Sequence, residues 1–262
     1  MILWYSGCGN SRFVAESLAG RLGEKTVFIP QADSLSFAEG EILGIVFPVY
    51  AWSVPNLVSD FLRKVSMSGR PAYVFAACTC GDNTGYTARV LRKVLKRRGL
   101  ELDAFFAFQM PNTYVNLPGF KLDSPELAKS KIEETIRQSD ETVRLIGERA
   151  KGDFNRLLGG SPFFKTYILK PLFYAFLITD RKFRAGEDCT GCGLCAKMCP
   201  LKNITMENGR PRWMGNCTNC DSCYHRCPKN AISFGKAAGK GTGQYYFKQH
   251  TFSISGNAVG QA

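Results

Sequence analysis

The residues best placed to do chemistry are cysteines. Of the 11 in this 262-residue chain, eight lie between positions 189 and 227. They form two runs of one spacing, Cys189-x-x-Cys192-x-x-Cys195-x-x-x-Cys199-Pro200 and Cys217-x-x-Cys220-x-x-Cys223-x-x-x-Cys227-Pro228. The offset is 28 residues, and seven of the sixteen positions in 189–204 and 217–232 are identical, which marks an internal duplication. Three thiolates on a tight loop can cap three irons of a four-iron cube, whose fourth iron needs a ligand from elsewhere. Zinc also takes CxxC pairs, but a 2-2-3 run closed by Pro, twice over, is poor zinc-finger spacing. Each half should be a cysteine loop and a short helix, stopped by the Pro and followed by a short strand. Asn208-Gly209, between Ile204–Met206 and Arg212-Trp213, signals a hairpin. His225 and Arg226 read as helix-surface residues, with tuning of an adjacent metal centre as the sharper alternative. Trp213 reads as a packing residue beside one.

On these residues the stretch 185–235 resembles the bacterial two-cluster ferredoxins. The resemblance implies one [4Fe–4S] cluster on Cys189, Cys192, Cys195 and Cys227, and a second on Cys199, Cys217, Cys220 and Cys223.

A second candidate site lies near the N-terminus. Ser6-Gly7-Cys8-Gly9-Asn10-Ser11 follows an apolar run and opens a helical pattern, an arrangement that favours anions. It is neither GxGxxG nor a Walker loop, and a tight turn needing φ > 0 is the plainer reading. Two further loops, Pro48-Val49-Tyr50-Ala51-Trp52 and Thr79-Cys80-Gly81-Asp82-Asn83-Thr84-Gly85, follow later apolar runs. In a doubly wound sheet such loops converge beyond the carboxyl ends of the strands. Tyr50 and Trp52 could then flank a planar ring, and the Gly-rich loop could bond its polar edge. Cys78 and Cys80 read as small buried thiols, with a redox role as the alternative.

Residues 1–150 resemble a flavodoxin, whose phosphate loop is matched here by Ser6, Gly9, Asn10 and Ser11. Cys8 departs from the family's usual Thr, and a thiol is a weak donor. The resemblance implies FMN held by Ser6, Gly7, Cys8, Gly9, Asn10, Ser11, Pro48, Val49, Tyr50, Ala51, Trp52, Thr79, Cys80, Gly81, Asp82, Asn83 and Gly85. The whole chain is similar to the flavodoxin–ferredoxin fusion proteins of anaerobic bacteria and archaea (the EFR-type family), which implies electron transfer with FMN and two [4Fe–4S] clusters as cofactors.

The elements that must position these loops follow from hydrophobic periodicity. Met1–Tyr5, Ile42–Phe47, Ala72–Ala77 and Ala104–Phe108 are buried parallel-strand runs, and Val27–Ile29 is a short fifth. Helices are expected over Asn10–Gly23, Asn56–Val65, Thr84–Arg98 and from Ser124-Pro125 to about Ala150. The fold class is therefore α/β, a flavodoxin-like doubly wound five-stranded parallel sheet, followed by a small α+β ferredoxin-type domain. The expected domains are 1–151 for the FMN-binding unit, 152–184 for a connector and 185–262 for the cluster domain with its basic tail. Phe163–Ile178, apolar but too short to span a bilayer, reads as interdomain packing, with an interfacial membrane helix as the alternative. The bases Arg89, Arg92, Lys93, Lys96, Arg97 and Arg98 read as a solvated face or as a docking patch for an acidic redox partner.

Composition sets the class. With 45% apolar and 21% charged residues the chain is globular rather than disordered or collagen-like. No signal peptide or transmembrane run stands out, so a cytoplasmic location with reduced thiols is expected. The net charge is +12, and residues 151–262 hold 16 bases against six acids. Nucleic acid is one reading of such charge, but no helix-turn-helix or finger pattern supports it. Two clusters contribute about −4 and an FMN phosphate about −2, so much of the excess is countercharge to cofactors. The rest suits acidic redox partner proteins. The functional expectation is an electron-transfer protein coupling one-electron clusters to FMN. The alternative is a dedicated reductase acting on a small molecule or quinone, its pocket lined by the Asn112–Phe120 loop.

Overall fold

The computed structural model describes residues 1–247; the part of the expected basic tail at 248–262 lies outside the described residues. Six strands form the main sheet: β1 (Ile2–Trp4), β2 (Thr26–Phe28), β3 (Ile42–Pro48), β4 (Tyr73–Cys80), β5 (Ala104–Gln109) and β6 (Gly152–Phe154). All pairings are parallel, in the order β2-β1-β3-β4-β5-β6. Its first five positions, 2-1-3-4-5, are the flavodoxin-like doubly wound order. The sixth strand corrects the five-stranded expectation: Gly152–Phe154, placed by sequence in the connector, pairs with Ala104–Phe106 at the sheet edge.

Four helices cover the sheet: α1 (Asn10–Leu22), α2 (Asn56–Lys64), α3 (Thr87–Lys96) and α4 (Pro125–Gly147). Strand side chains alternate between the two faces. Leu43, Ile45 and Phe47 of β3 pack with Val58 and Leu62 of α2 and with Leu91 and Val94 of α3. Val46 and Phe75 face the other way, toward Phe13 and Leu18 of α1 and Ile132 of α4. Sequence signals set the helix ends. The Ser124 side chain accepts from the Leu127 amide, with Pro125 in the first helical position, and α1 stops at Gly23 with φ 67°.

Residues 162–176 form one helical segment, α5, with a π-helical turn at Lys165–Leu169. Beyond it the small domain follows the expected duplicated plan. β7 (Phe183–Ala185) pairs antiparallel with β10 (Ile232–Phe234), and β8 (Ile204–Glu207) with β9 (Arg210–Trp213). Asn208 and Gly209 at the hairpin tip have φ 49° and 73°, as a type I′ turn requires. Two four-residue helices, α6 (Leu194–Lys197) and α7 (Ser222–His225), carry the cysteine loops. The core of this domain, around Phe183, Ile204, Tyr224 and Ile232, takes in Val115 and Leu122 from the loop after β5, so the two domains share packing.

Candidate functional site

The loops at the carboxyl ends of β1, β3 and β4 enclose one cavity of about 520 Å³. Every residue of the sequence-derived FMN set lines it except Gly9 and Gly85. Gly9 caps α1 at φ 99° and lies against Phe247, while Gly85 packs on the Trp52 backbone. The phosphate-type loop is tightly drawn: Ser6 Oγ accepts from the Gly9 amide at 3.0 Å, and Ser11 Oγ is 2.7 Å from Thr79 Oγ1. The N-cap of α1 is Gly9, so no side chain caps that helix end. Cys8 turns its thiol to the other domain. Its Sγ donates to the Cys220 carbonyl at 3.4 Å, and burial pushes its pKa up.

The second loop is a tight hairpin. Tyr50 and Ser53 exchange backbone hydrogen bonds of 3.0 and 3.1 Å, with Ala51 and Trp52 at φ 46° and 55°. Two consecutive non-glycine residues in the left-handed region hold strain, which functional loops commonly carry. α5 holds the tip in place: Thr166 Oγ1 donates to the Trp52 carbonyl at 3.0 Å, and Lys165 Nζ lies 5.7 Å from the Trp52 ring centre. The third loop is braced by Lys131, whose Nζ donates to the Gly81 carbonyl and to Asp123 Oδ2, both at 2.7 Å. Cys80 is buried, its thiol raised to about 12 by burial and next by Asp82, and Cys78 belongs to the core. Both thiols are neutral packing groups at physiological pH.

The remaining walls were not assigned from sequence, apart from the Asn112–Phe120 loop. They come from α5, through Lys165 and Phe173, and from the cluster domain, through Thr218, Asn219, Cys220 and Asp221. The contact between domains is close. A Cβ on Gly7 would stand 2.4 Å from the Cys220 carbonyl oxygen, so only glycine admits that approach. Asp221 Oδ1 accepts from Asn116 Nδ2 at 2.5 Å, and burial raises this carboxyl to about 8 against the pull of that bond and of the Val115 amide.

The eight cysteines divide into two groups in space. Cys189, Cys192, Cys195 and Cys227 line one small apolar gap with Met206, Pro211 and Ile232. Cys199, Cys217, Cys220 and Cys223 line another with Phe183 and Trp213. The last cysteine of each repeat thus reaches across to the other repeat's loop. Among the described residues no three His, Cys, Asp or Glu side chains converge as a ligand set for a single metal ion. Amides of Asn203, Asn219 and Ala231 donate to the sulfurs of Cys199, Cys217 and Cys227, each at 3.3 Å. Burial pushes Cys220 up to about 12 and raises Cys217 and Cys223 as well. Such thiols stay protonated unless a metal takes the charge.

His225 departs from its expected place on a helix surface. It is buried, accepts from the Tyr245 amide through Nδ1 at 3.1 Å, and donates through Nε2 to the Thr113 carbonyl at 2.7 Å. Burial lowers its pKa to about 4 against the Thr113 bond, so it is a neutral strut between domains. Arg226 lies 5.0 Å from the Tyr246 ring centre. Trp213 stacks on Phe183 at 5.5 Å between ring centres, as a packing residue would. In the basic row 89–98, Arg92 pairs with Asp153 and Arg98 donates to the Val65 carbonyl at 2.7 Å, so part of that row is structural.

The comparison with protein families finds one match in the cluster region. Residues 188–232 match the 4Fe-4S dicluster domain. The C-terminal part of the chain is therefore an iron–sulfur dicluster domain, and its cysteine motif supports two [4Fe–4S] clusters. Among solved structures, the Trp repressor binding protein from Bacillus subtilis is 11% identical, with a TM-score of 0.32, over 52% of this chain and 95% of that one. No curated protein matches the chain.

Proposed function

We propose that this chain is an electron-transfer protein in which FMN, held in the 520 Å³ cavity, lies beside the cluster of the second cysteine loop. The observation that carries this reading is the shared wall: Thr218, Asn219, Cys220 and Asp221 line the same cavity as Ser6–Cys8, Tyr50 and Trp52. The side chains present fit a flavin. Tyr50, Trp52 and Tyr114 give the cavity aromatic walls for a planar ring, and Ser6, Ser11 and the N-terminal end of α1 give it an anion position.

When bound, FMN supplies one- or two-electron chemistry and each cluster one-electron chemistry. The chain's own residues do the rest. The α1 end and Ser6 to Ser11 bind the phosphate, Tyr50 and Trp52 flank the ring, and the Gly81 loop orients its edge. Cys199, Cys217, Cys220 and Cys223 hold the nearer cluster, and Cys189, Cys192, Cys195 and Cys227 the farther one. The apolar gap around Phe183 and Trp213 keeps water from the nearer set. Cys192 is exposed, which makes the farther set the point of entry for an external carrier.

Anaerobic purification tests the reading. About eight iron, eight labile sulfide and one FMN per chain are expected. Zinc in place of iron, or a chain that takes up clusters but no FMN, contradicts it. A reductase reading draws on one observation, that Asn112, Thr113, Tyr114 and Phe120 also line the cavity. Turnover of a small quinone by the loaded chain, without a protein acceptor, would favour it.

A further inference from the structure

The segment α5 is amphipathic in reverse. Its inward side carries its two charges, Lys170 donating to Ser53 Oγ at 3.0 Å and Lys165 lying over Trp52. Its outward side carries none. Phe163, Phe164, Ile168, Leu172 and Phe176 are 60, 51, 44, 50 and 74% exposed. Single exposed apolar residues are ordinary, but five on one short segment mark a face that something covers.

The surroundings select what covers it. Residues 154–179 contain no acid. Asp60 pairs with Arg63 at 2.8 Å, Asp153 with Arg92 and Arg156, and Asp180 is buried and accepts from Asn203 and Gly215, while Asp82, which lines the cavity with Lys165, is exposed and accepts from Asn83. Exposed Arg181, Lys182 and Arg184 follow the segment in the chain. Exposed Arg63 and Lys64 end the helix whose first amide, at Asn56, donates to Tyr174 of α5. An uncharged aromatic face rimmed by bases complements an anionic bilayer surface. A second copy of the chain would instead bring one basic rim against another. Among the described residues no helix is long and apolar enough to cross a membrane, so the segment would lie in the interface.

We propose that α5 seats the protein on an anionic phospholipid surface, with Phe163, Phe164, Ile168, Leu172 and Phe176 entering the headgroup boundary. This does not depend on the electron-transfer reading. The test is flotation of the full, cofactor-loaded chain with phosphatidylcholine vesicles, with and without phosphatidylglycerol. Co-flotation with the anionic vesicles that weakens as salt is raised is expected. The double variant Phe164→Ser/Phe176→Ser should lose at least about tenfold in partitioning, with cluster absorbance and melting midpoint unchanged. No flotation, equal binding to neutral vesicles, or equal binding by the variant overturns the proposal. So does a dimer in sedimentation equilibrium that the same variant disrupts while vesicles go unbound, which assigns the face to a second copy.

Discussion

The carbonyl of Cys220 occupies the space that a side chain on Gly7 would need, 2.4 Å from the Cβ position. Two domains far apart in sequence therefore meet backbone to backbone, where the phosphate-type loop of one touches the cysteine loop of the other. Gly7→Ala should force them apart at a cost of about 1–3 kcal/mol and weaken FMN retention. Gly20→Ala is the control: nothing lies within 4 Å of its Cβ position, so helix α1 should be unharmed or gain up to about 1 kcal/mol. Thermal melts of both variants, with flavin content per chain, check the pair.

The crossed grouping of cysteines separates two variants that look alike in sequence. Cys199→Ser should remove the cluster near the cavity and alter the flavin spectrum. Cys227→Ser should remove the far cluster and leave that spectrum unchanged. In both, iron should fall toward about four per chain. Iron assay with visible spectroscopy distinguishes this from the uncrossed grouping, which reverses the two spectra.

Lys131 and Asp123 form a pair whose side chains are only 12 and 9% exposed, and it ties the Gly81 loop to the Asn112 amide. Lys131→Met leaves a buried carboxylate without its counter-charge and should cost about 3–5 kcal/mol. The melting midpoint should fall, and FMN should be lost before the clusters, whose cysteines lie on the other domain.

Much of this architecture is legible from sequence because periodicity and glycine placement act locally. The apolar runs Ile42–Phe47 and Ala72–Ala77 read as buried strands, and the rule that ligands sit beyond strand ends brings Ser6, Tyr50 and Gly81 together. The cysteine repeat carries its own crossing logic. What stays hidden depends on distant partners. Gly152–Phe154 is a three-residue edge strand with no apolar alternation, specified by its pairing to β5. His225 sits on a four-residue helix, too short for periodicity to assign a face, and Thr113 and Tyr245 decide its burial. No local pattern places Thr218–Asp221 on the same cavity as the loops of Ser6, Tyr50 and Gly81, because that contact exists only once both domains have folded.

The hairpin at Tyr50–Ser53 separates strain from function. Ala51 at φ 46° is an L-residue in the left-handed region, so Ala51→Gly should be neutral or stabilise by up to about 1 kcal/mol. Trp52→Ala should change stability little, since the ring is only half-buried, and weaken FMN binding at least about tenfold through lost stacking. Urea melts and flavin titration check the two outcomes.

The proposed route carries electrons between FMN and the cluster of Cys199, Cys217, Cys220 and Cys223 inside one chain. Its most direct test is single-turnover mixing of the loaded chain with a reduced ferredoxin, following flavin absorbance in the parent and in Cys220→Ser. Fast flavin reduction is expected in the parent and loss of that fast phase in the variant, while the cluster of Cys189, Cys192, Cys195 and Cys227 is still reduced. Flavin reduction at the parental rate in Cys220→Ser would contradict it.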